Sequence, residues 1–109
     1  MSNGSTFIKE SALINCSGLI EIHIPNSVSS IGAHAFYGCT NLKNIIIPNK
    51  VTSIEERTFY ECKGLVSVVI PNSVKSIEYE AFNGCSALKS IVLPEGMTLI
   101  KKWTFYGCI

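Results

Sequence analysis

Leu65-Val66-Ser67-Val68-Val69-Ile70-Pro71-Asn72-Ser73-Val74-Lys75-Ser76-Ile77-Glu78-Tyr79-Glu80-Ala81-Phe82-Asn83-Gly84-Cys85 restates, 23 residues on, what the chain has spelled from Leu42 to Cys62. Ile24-Pro25-Asn26-Ser27-Val28 returns as Ile47-Pro48-Asn49-Lys50-Val51, as Ile70-Pro71-Asn72-Ser73-Val74 and, weakened, as Leu93-Pro94-Glu95-Gly96-Met97. Cys16, Cys39, Cys62, Cys85 and Cys108 keep the same step. A fixed period of this length marks stacked supersecondary units, each unable to bury its apolar face alone. With the Ile of Ile-Pro as position one, the chain reads as a single solenoid. Its coils are 1–23, 24–46, 47–69 and 70–92, with a partial coil 93–109.

Eight columns of this repeat are persistently apolar and form the expected core. They are position one (Ile24, Ile47, Ile70, Leu93), five (Val28, Val51, Val74, Met97), eight (Ile8, Ile31, Ile54, Ile77, Ile100) and a small twelfth (Ala12, Ala35, Thr58, Ala81, Thr104). The others are thirteen (Leu13, Phe36, Phe59, Phe82, Phe105), sixteen (the cysteines), nineteen (Leu19, Leu42, Leu65, Leu88) and twenty-two (Ile22, Ile45, Val68, Ile91).

The β-branched run Asn44-Ile45-Ile46-Ile47 ends at Pro48, which cannot donate to a ladder, so it reads as a short strand closed by proline. Two-residue alternation turns Ile45 and Ile47 inward and Asn44 and Ile46 outward. Ser67–Ile70 and Ser90–Leu93 read alike, and Pro-Asn after each strand suits a β-turn. Val28–Ile31 and its equivalents form a second, very short extended segment. In the stretch around Ala81, Phe82 and Cys85 the spacing predicts a single helical turn. Gly38, Gly84, Gly107 and Asn15 follow it, all tolerant of a left-handed exit; Glu61 fits that column poorly. A long amphipathic helix in every repeat is the competing reading; the recurring proline and runs such as Ile45-Ile46-Ile47 argue against it.

Composition narrows function. The 109 residues are 47% hydrophobic, with no apolar run near the roughly 18 residues of a membrane span. Net charge is +1 with both signs scattered, which argues against a nucleic-acid surface and against an electrostatic membrane binder, while the lack of a long apolar run argues against membrane insertion. Met1–Thr6 has neither a basic nor an apolar stretch, so no signal peptide is read in this chain. Asp and Gln are absent and Arg57 is the single arginine, which removes many catalytic constellations.

The pattern Leu-x-x-Ile-x-Ile-Pro-x-x-Val-x-x-Ile-x-x-x-Ala-Phe-x-x-Cys resembles the BspA-type leucine-rich repeat over essentially the whole chain. Leu42–Cys62, with Thr58 for Ala, and Leu65–Cys85 match it most fully. The resemblance implies an α/β repeat: a right-handed, curved leucine-rich-repeat solenoid with short parallel strands on its concave face. It further implies a setting at the cell surface or outside the cell, and adhesion to host proteins or other cells. Two departures stand out. Met1–Ser5 replaces Ile-Pro-x-x-Val, as a worn repeat or a polar cap, and the fifth coil stops at Ile109 before its strand. The Ser90–Leu93 strand is then expected to present an open edge that pairs with a further copy, a homo-oligomer, unless the array continues in a longer protein.

No cofactor and no metal are expected. The five cysteines lack the close pairs of a zinc site and read as a buried, reduced column, with Cys16 and Cys108 least protected. His34 shares its column with Ser11, Arg57, Glu80 and Trp103 and reads as an exposed variable side chain. Glu55 and Glu78 read as solvated neighbours, and Lys101-Lys102-Trp103 as a solvated patch. Asn3-Gly4-Ser5 and Asn15-Cys16-Ser17 match the glycosylation sequon only formally. The expected role is a non-catalytic recognition module for a protein or glycan ligand; the alternative is a structural spacer of a longer surface solenoid. Its candidate binding face is the outward side of the strands. One row, Glu21, Asn44, Ser67 and Ser90, is polar; the other, His23, Ile46, Val69 and Val92, is apolar after its histidine. If ligands bind elsewhere, the tyrosines Tyr37, Tyr60 and Tyr106 are the expected place.

Overall fold

The structure is a computed structural model, and it describes residues 6–97, 99–100 and 104–108, the side chain of Leu99 excepted. Met1–Ser5, Lys101-Lys102-Trp103 and Ile109, and with them the expected N-terminal cap and the basic patch, lie outside the described residues.

The second, third and fourth coils each contribute to two rows of parallel strands, and the first and the partial fifth contribute to one. The main row comprises β3 (Asn44–Ile46), β5 (Ser67–Val69) and β7 (Ser90–Val92), in the order β3-β5-β7. Its register is one period: Asn44 opposes Ser67 and Ser67 opposes Ser90, while Ile46 opposes Val69 and Val69 opposes Val92. The second row comprises β1 (Phe7–Ile8), β2 (Ser30–Ile31), β4 (Ser53–Ile54), β6 (Ser76–Ile77) and β8 (Leu99–Ile100), divided into a pair β1-β2 and a triplet β4-β6-β8. At the division, the buried Thr58 hydroxyl donates to the carbonyl of Glu55 at 2.9 Å and reaches that of Gly32 at 3.4 Å. Residues 21–23 carry no strand; Lys43 N–H donates to Ile20 C=O beside them at 3.0 Å.

The apolar columns meet in one core. Phe36, Phe59, Phe82, Leu42, Leu65, Val51 and Val74 are fully buried. The phenylalanine rings stack coil on coil, with centroids 5.5, 5.2 and 5.8 Å apart from Phe36 to Phe105. Such spacing suits offset aromatic contact. In the outer coils the columns open: Leu13, Leu19 and Ile22 are half-buried, and Ala12, Leu93 and Ile100 are exposed.

The expected helical turn is corrected. Among the described residues, positions 9–16 form a ribbon of turns and no helix. Even-numbered positions bond within the coil, as in Ala81 N–H to Glu78 C=O and Asn83 N–H to Glu80 C=O, both at 3.2 Å. Positions 11, 13 and 15 bond to the following coil, as in Arg57 N–H to Tyr79 C=O, Phe59 N–H to Ala81 C=O and Glu61 N–H to Asn83 C=O, whereas position nine bonds to the coil before, as in Glu78 N–H to Ile54 C=O. Two left-handed residues per coil impose this alternation. The exit column is as expected, with φ of 73° at Gly38, 80° at Gly84, 56° at Asn15 and 58° at Glu61. The other column, Ser11, His34, Arg57 and Glu80, has φ of 57°, 62°, 53° and 54° and contains no glycine. A positive φ interrupts a right-handed helix wherever it falls, so every second N–H is turned toward the neighbouring coil.

Candidate functional site

In β3, β5 and β7 the middle residue points into the core and its neighbours point out. Ile45 and Val68 are buried and Ile91 is half-buried. The outer residues of each strand, set in register by the parallel ladder, form two columns across three coils. Asn44, Ser67 and Ser90 make the polar one, and the Ser67 hydroxyl donates to Asn44 Oδ1 at 3.3 Å. Ile46, Val69 and Val92 make the apolar one, and they are 80%, 59% and 57% exposed. All six residues named from the sequence therefore share one surface. At the coil-one end, Glu21, Ile22, Asn44, Ile45 and Ile46 line an open depression. Glu21 and His23 are exposed beside the row without being strand residues.

A second surface lies along the turn ribbon. Tyr37 and Tyr60 stack with centroids 4.7 Å apart, and the His34 ring leans on Tyr37 at 5.6 Å. Arg57 Nε donates to Glu80 Oε1 at 2.7 Å, and its guanidinium lies 5.7 Å from the centroids of both Tyr60 and Tyr79. Asn83 Nδ2 donates to the other Glu80 oxygen at 2.8 Å. These groups bind one another, so the cluster ties coils together along the left-handed column that sequence reading missed. Column-wise pairing of Arg57 with Glu80, one period apart, was the available signal.

The thiols stand in one column, and each one after the first donates to the coil before it. Cys39 Sγ reaches Leu13 C=O, Cys62 Sγ reaches Phe36 C=O and Cys108 Sγ reaches Phe82 C=O, all at 3.1 Å; Cys85 Sγ reaches Phe59 C=O at 3.2 Å. Each thiol proton thus satisfies a carbonyl that a purely apolar residue would leave with one bond fewer. Burial pushes the Cys39 thiol up, and pushes Cys62 up to about 12 from an ordinary 9.0. Cys16 and Cys108 are half-buried, and the three between them are buried. Glu55 is engaged by the Ser53 hydroxyl. Among the described residues no three His, Cys, Asp or Glu side chains gather where a metal could be held, and no helix is long and apolar enough to cross a membrane.

The comparisons place this geometry among known proteins. A profile described as BspA type leucine rich repeat region matches residues 6–109 in six copies. The fold superposes on a leucine-rich cell surface protein from Faecalibacterium prausnitzii with a TM-score of 0.96 at 34% identity, over 99% of this chain and 28% of that one. A leucine-rich repeat protein of T. pallidum gives a TM-score of 0.91 at 33% identity, over 94% of this chain and 48% of that one. A leucine-rich repeat protein from Bacteroides ovatus gives 0.80 at 41% identity, over 85% of this chain and 24% of that one. This chain thus spans less than half the length of each of these structures. No curated protein matches it.

Proposed function

The chain belongs to the BspA-type leucine-rich-repeat family, and from that premise we propose that it is a non-catalytic recognition module, protein-binding or adhesive, which uses the outer face of its strand row. The observation that carries the reading is the unbroken exposed column Ile46, Val69, Val92. β-Branched residues favour strands even where they face water. Three of them in register across adjacent coils, bordered by Asn44, Ser67 and Ser90, add a continuous apolar strip with a polar margin, which is the anatomy of a protein contact. The likeness to a bacterial cell-surface protein supports a binding role exercised outside the cell.

Selection from a displayed library of random peptides tests the proposal. Peptides that bind the native protein are expected to lose at least about tenfold in affinity for Val69→Asn, while the melting temperature stays within about 2 °C, because surface substitutions cost little. Peptides that bind Val69→Asn as well as native protein would move recognition to another surface, with Tyr37 and Tyr60 the next place to look. An unfolded Val69→Asn would contradict the outward assignment itself.

A further inference from the structure

We infer that the occupant of the strand face is an acidic, extended peptide segment carrying aliphatic side chains. This rests on the reading of that face as the binding surface. The charge distribution carries the inference. Among the described residues, six carboxylates (Glu10, Glu55, Glu56, Glu61, Glu78 and Glu80) lie on the turn ribbon, where the cations are Lys9 and Arg57. The rest of each coil, comprising both strand rows and the turns around them, holds Lys43, Lys50, Lys75 and Lys89 against Glu21 and Glu95, while Lys63 pairs with Glu61 at the end of the ribbon. The described residues are therefore negative along the ribbon and positive around the strands. Segregation of this kind selects and orients a charged partner.

The lysines are placed to act on the strip. Lys43 and Lys89 immediately precede the first outward residues of β3 and β7, Asn44 and Ser90, and both are exposed. The Lys43 ammonium leans onto the next coil over Gly64, where an added Cβ would stand 3.2 Å from Nζ. On the other side of the row, Lys75 leans in the same sense over Gly96, with Nζ 3.1 Å from the place of a Cβ. These two ammonium groups thus lie along the solenoid, parallel to the apolar column, and the glycines make room for them. Lys50 stands in the turn that follows β3. The result is an aliphatic strip with positive charge on both flanks.

The strip itself distinguishes among anionic partners. Its side chains are isoleucine and valine, with no aromatic residue in either outward column. Aliphatic contacts suit the side chains of a peptide, whereas the flat amphipathic rings of the described tyrosines, Tyr37, Tyr60, Tyr79 and Tyr106, stand on the turn ribbon. An acidic peptide with alternate aliphatic residues presents both complements at once, carboxylates to the lysines and side chains to the strip.

The probe is a fluorescein-labelled twelve-residue peptide alternating Glu with Val, beside versions with Gln or Lys in place of Glu. Native protein is expected to bind the Glu peptide at least about tenfold more tightly than the Gln peptide, to ignore the Lys peptide, and to weaken as salt is raised. Lys43→Glu combined with Lys89→Glu should lose at least about tenfold for the Glu peptide, while Lys9→Glu on the ribbon changes it less than about twofold. Failure to bind the Glu peptide, equal binding of the Gln peptide, or indifference to the double reversal would overturn the acidic occupant. If the random-library peptides still depend on Val69, the strand-face reading then survives; if they do not, that reading falls separately. Heparin or phosphatidylserine vesicles binding more tightly than the Glu peptide through Lys43 and Lys89 would also overturn the inference, in favour of a glycan or a lipid surface.

Discussion

Single residues hold backbone strain that the repeat does not require. Glu61 takes φ of 58° in a column where Gly38, Gly84 and Gly107 take the same region freely. A left-handed conformation costs a residue with a Cβ roughly 1 kcal/mol or more. Against this stands an ion pair with Lys63 at 3.8 Å, exposed on both sides and of little worth. Glu61→Gly is therefore expected to raise stability by about 1 kcal/mol, a rise in melting temperature of roughly 4 °C by calorimetry; a fall would mean that the Glu61 side chain, packed over Gly84, supports the coil. Arg57 has the opposite balance. Its φ of 53° is unfavourable, but its side chain ties Glu80 and lies against Tyr60 and Tyr79. Arg57→Ala keeps the strain and removes the ties, so a loss of about 1 kcal/mol is expected in denaturant melts, allowing for the exposure of the guanidinium. Residue chemistry showed the first of these columns and hid the second. Gly and Asn announce a left-handed position, whereas Ser11, His34, Arg57 and Glu80 share no residue type that would announce theirs.

At the scale of elements, the strands were legible because alternation and proline state both their faces and their ends. The predicted inward Ile45 and Val68 and outward Ile46 and Val69 stand as read. The helical turn was misread because the spacing of Ala81, Phe82 and Cys85 is equally served by consecutive turns whose alternate N–H groups cross to the next coil. Segment 21–23 has the strand pattern without the strand, since pattern fixes the facing of side chains more firmly than it fixes a ladder. The thiol column makes a pH prediction. The folded state raises the Cys62 pKa above its unfolded value, so its contribution is complete below about pH 9 and is lost as pH rises toward about 12. Cys39 moves in the same direction. Unfolding monitored by circular dichroism should show stability falling across that alkaline window, and Cys62→Ala should make the fall shallower. An unchanged slope in the variant would mean that the buried thiol ionises freely. Alkylation at pH 8 should modify Cys16 and Cys108 well before Cys39, Cys62 and Cys85, in keeping with their burial.

Across the whole molecule, the coils are held by columns that run through it, so damage in a central coil weakens both of its interfaces. Phe59 is fully buried between Phe36 and Phe82. Phe59→Ala should cost roughly 3–5 kcal/mol in urea melts; a loss under about 1 kcal/mol would show that the stack closes over the gap. The period made the solenoid and its core readable from sequence, and alternation placed the six candidate residues on one face. The separation of charge between ribbon and strand row was less legible, because it appears only when the coils are superposed and their sides compared. The central claim, that recognition occupies the apolar column of the strand row, is tested most directly by methyl NMR. Isoleucine- and valine-labelled protein is titrated with a peptide selected for binding. The account predicts that the methyl signals of Ile46, Val69 and Val92 move together and saturate with the bound fraction, while those of the buried Val51 and Val74 stay in place. Saturable binding that leaves the signals of Ile46, Val69 and Val92 unmoved would contradict it.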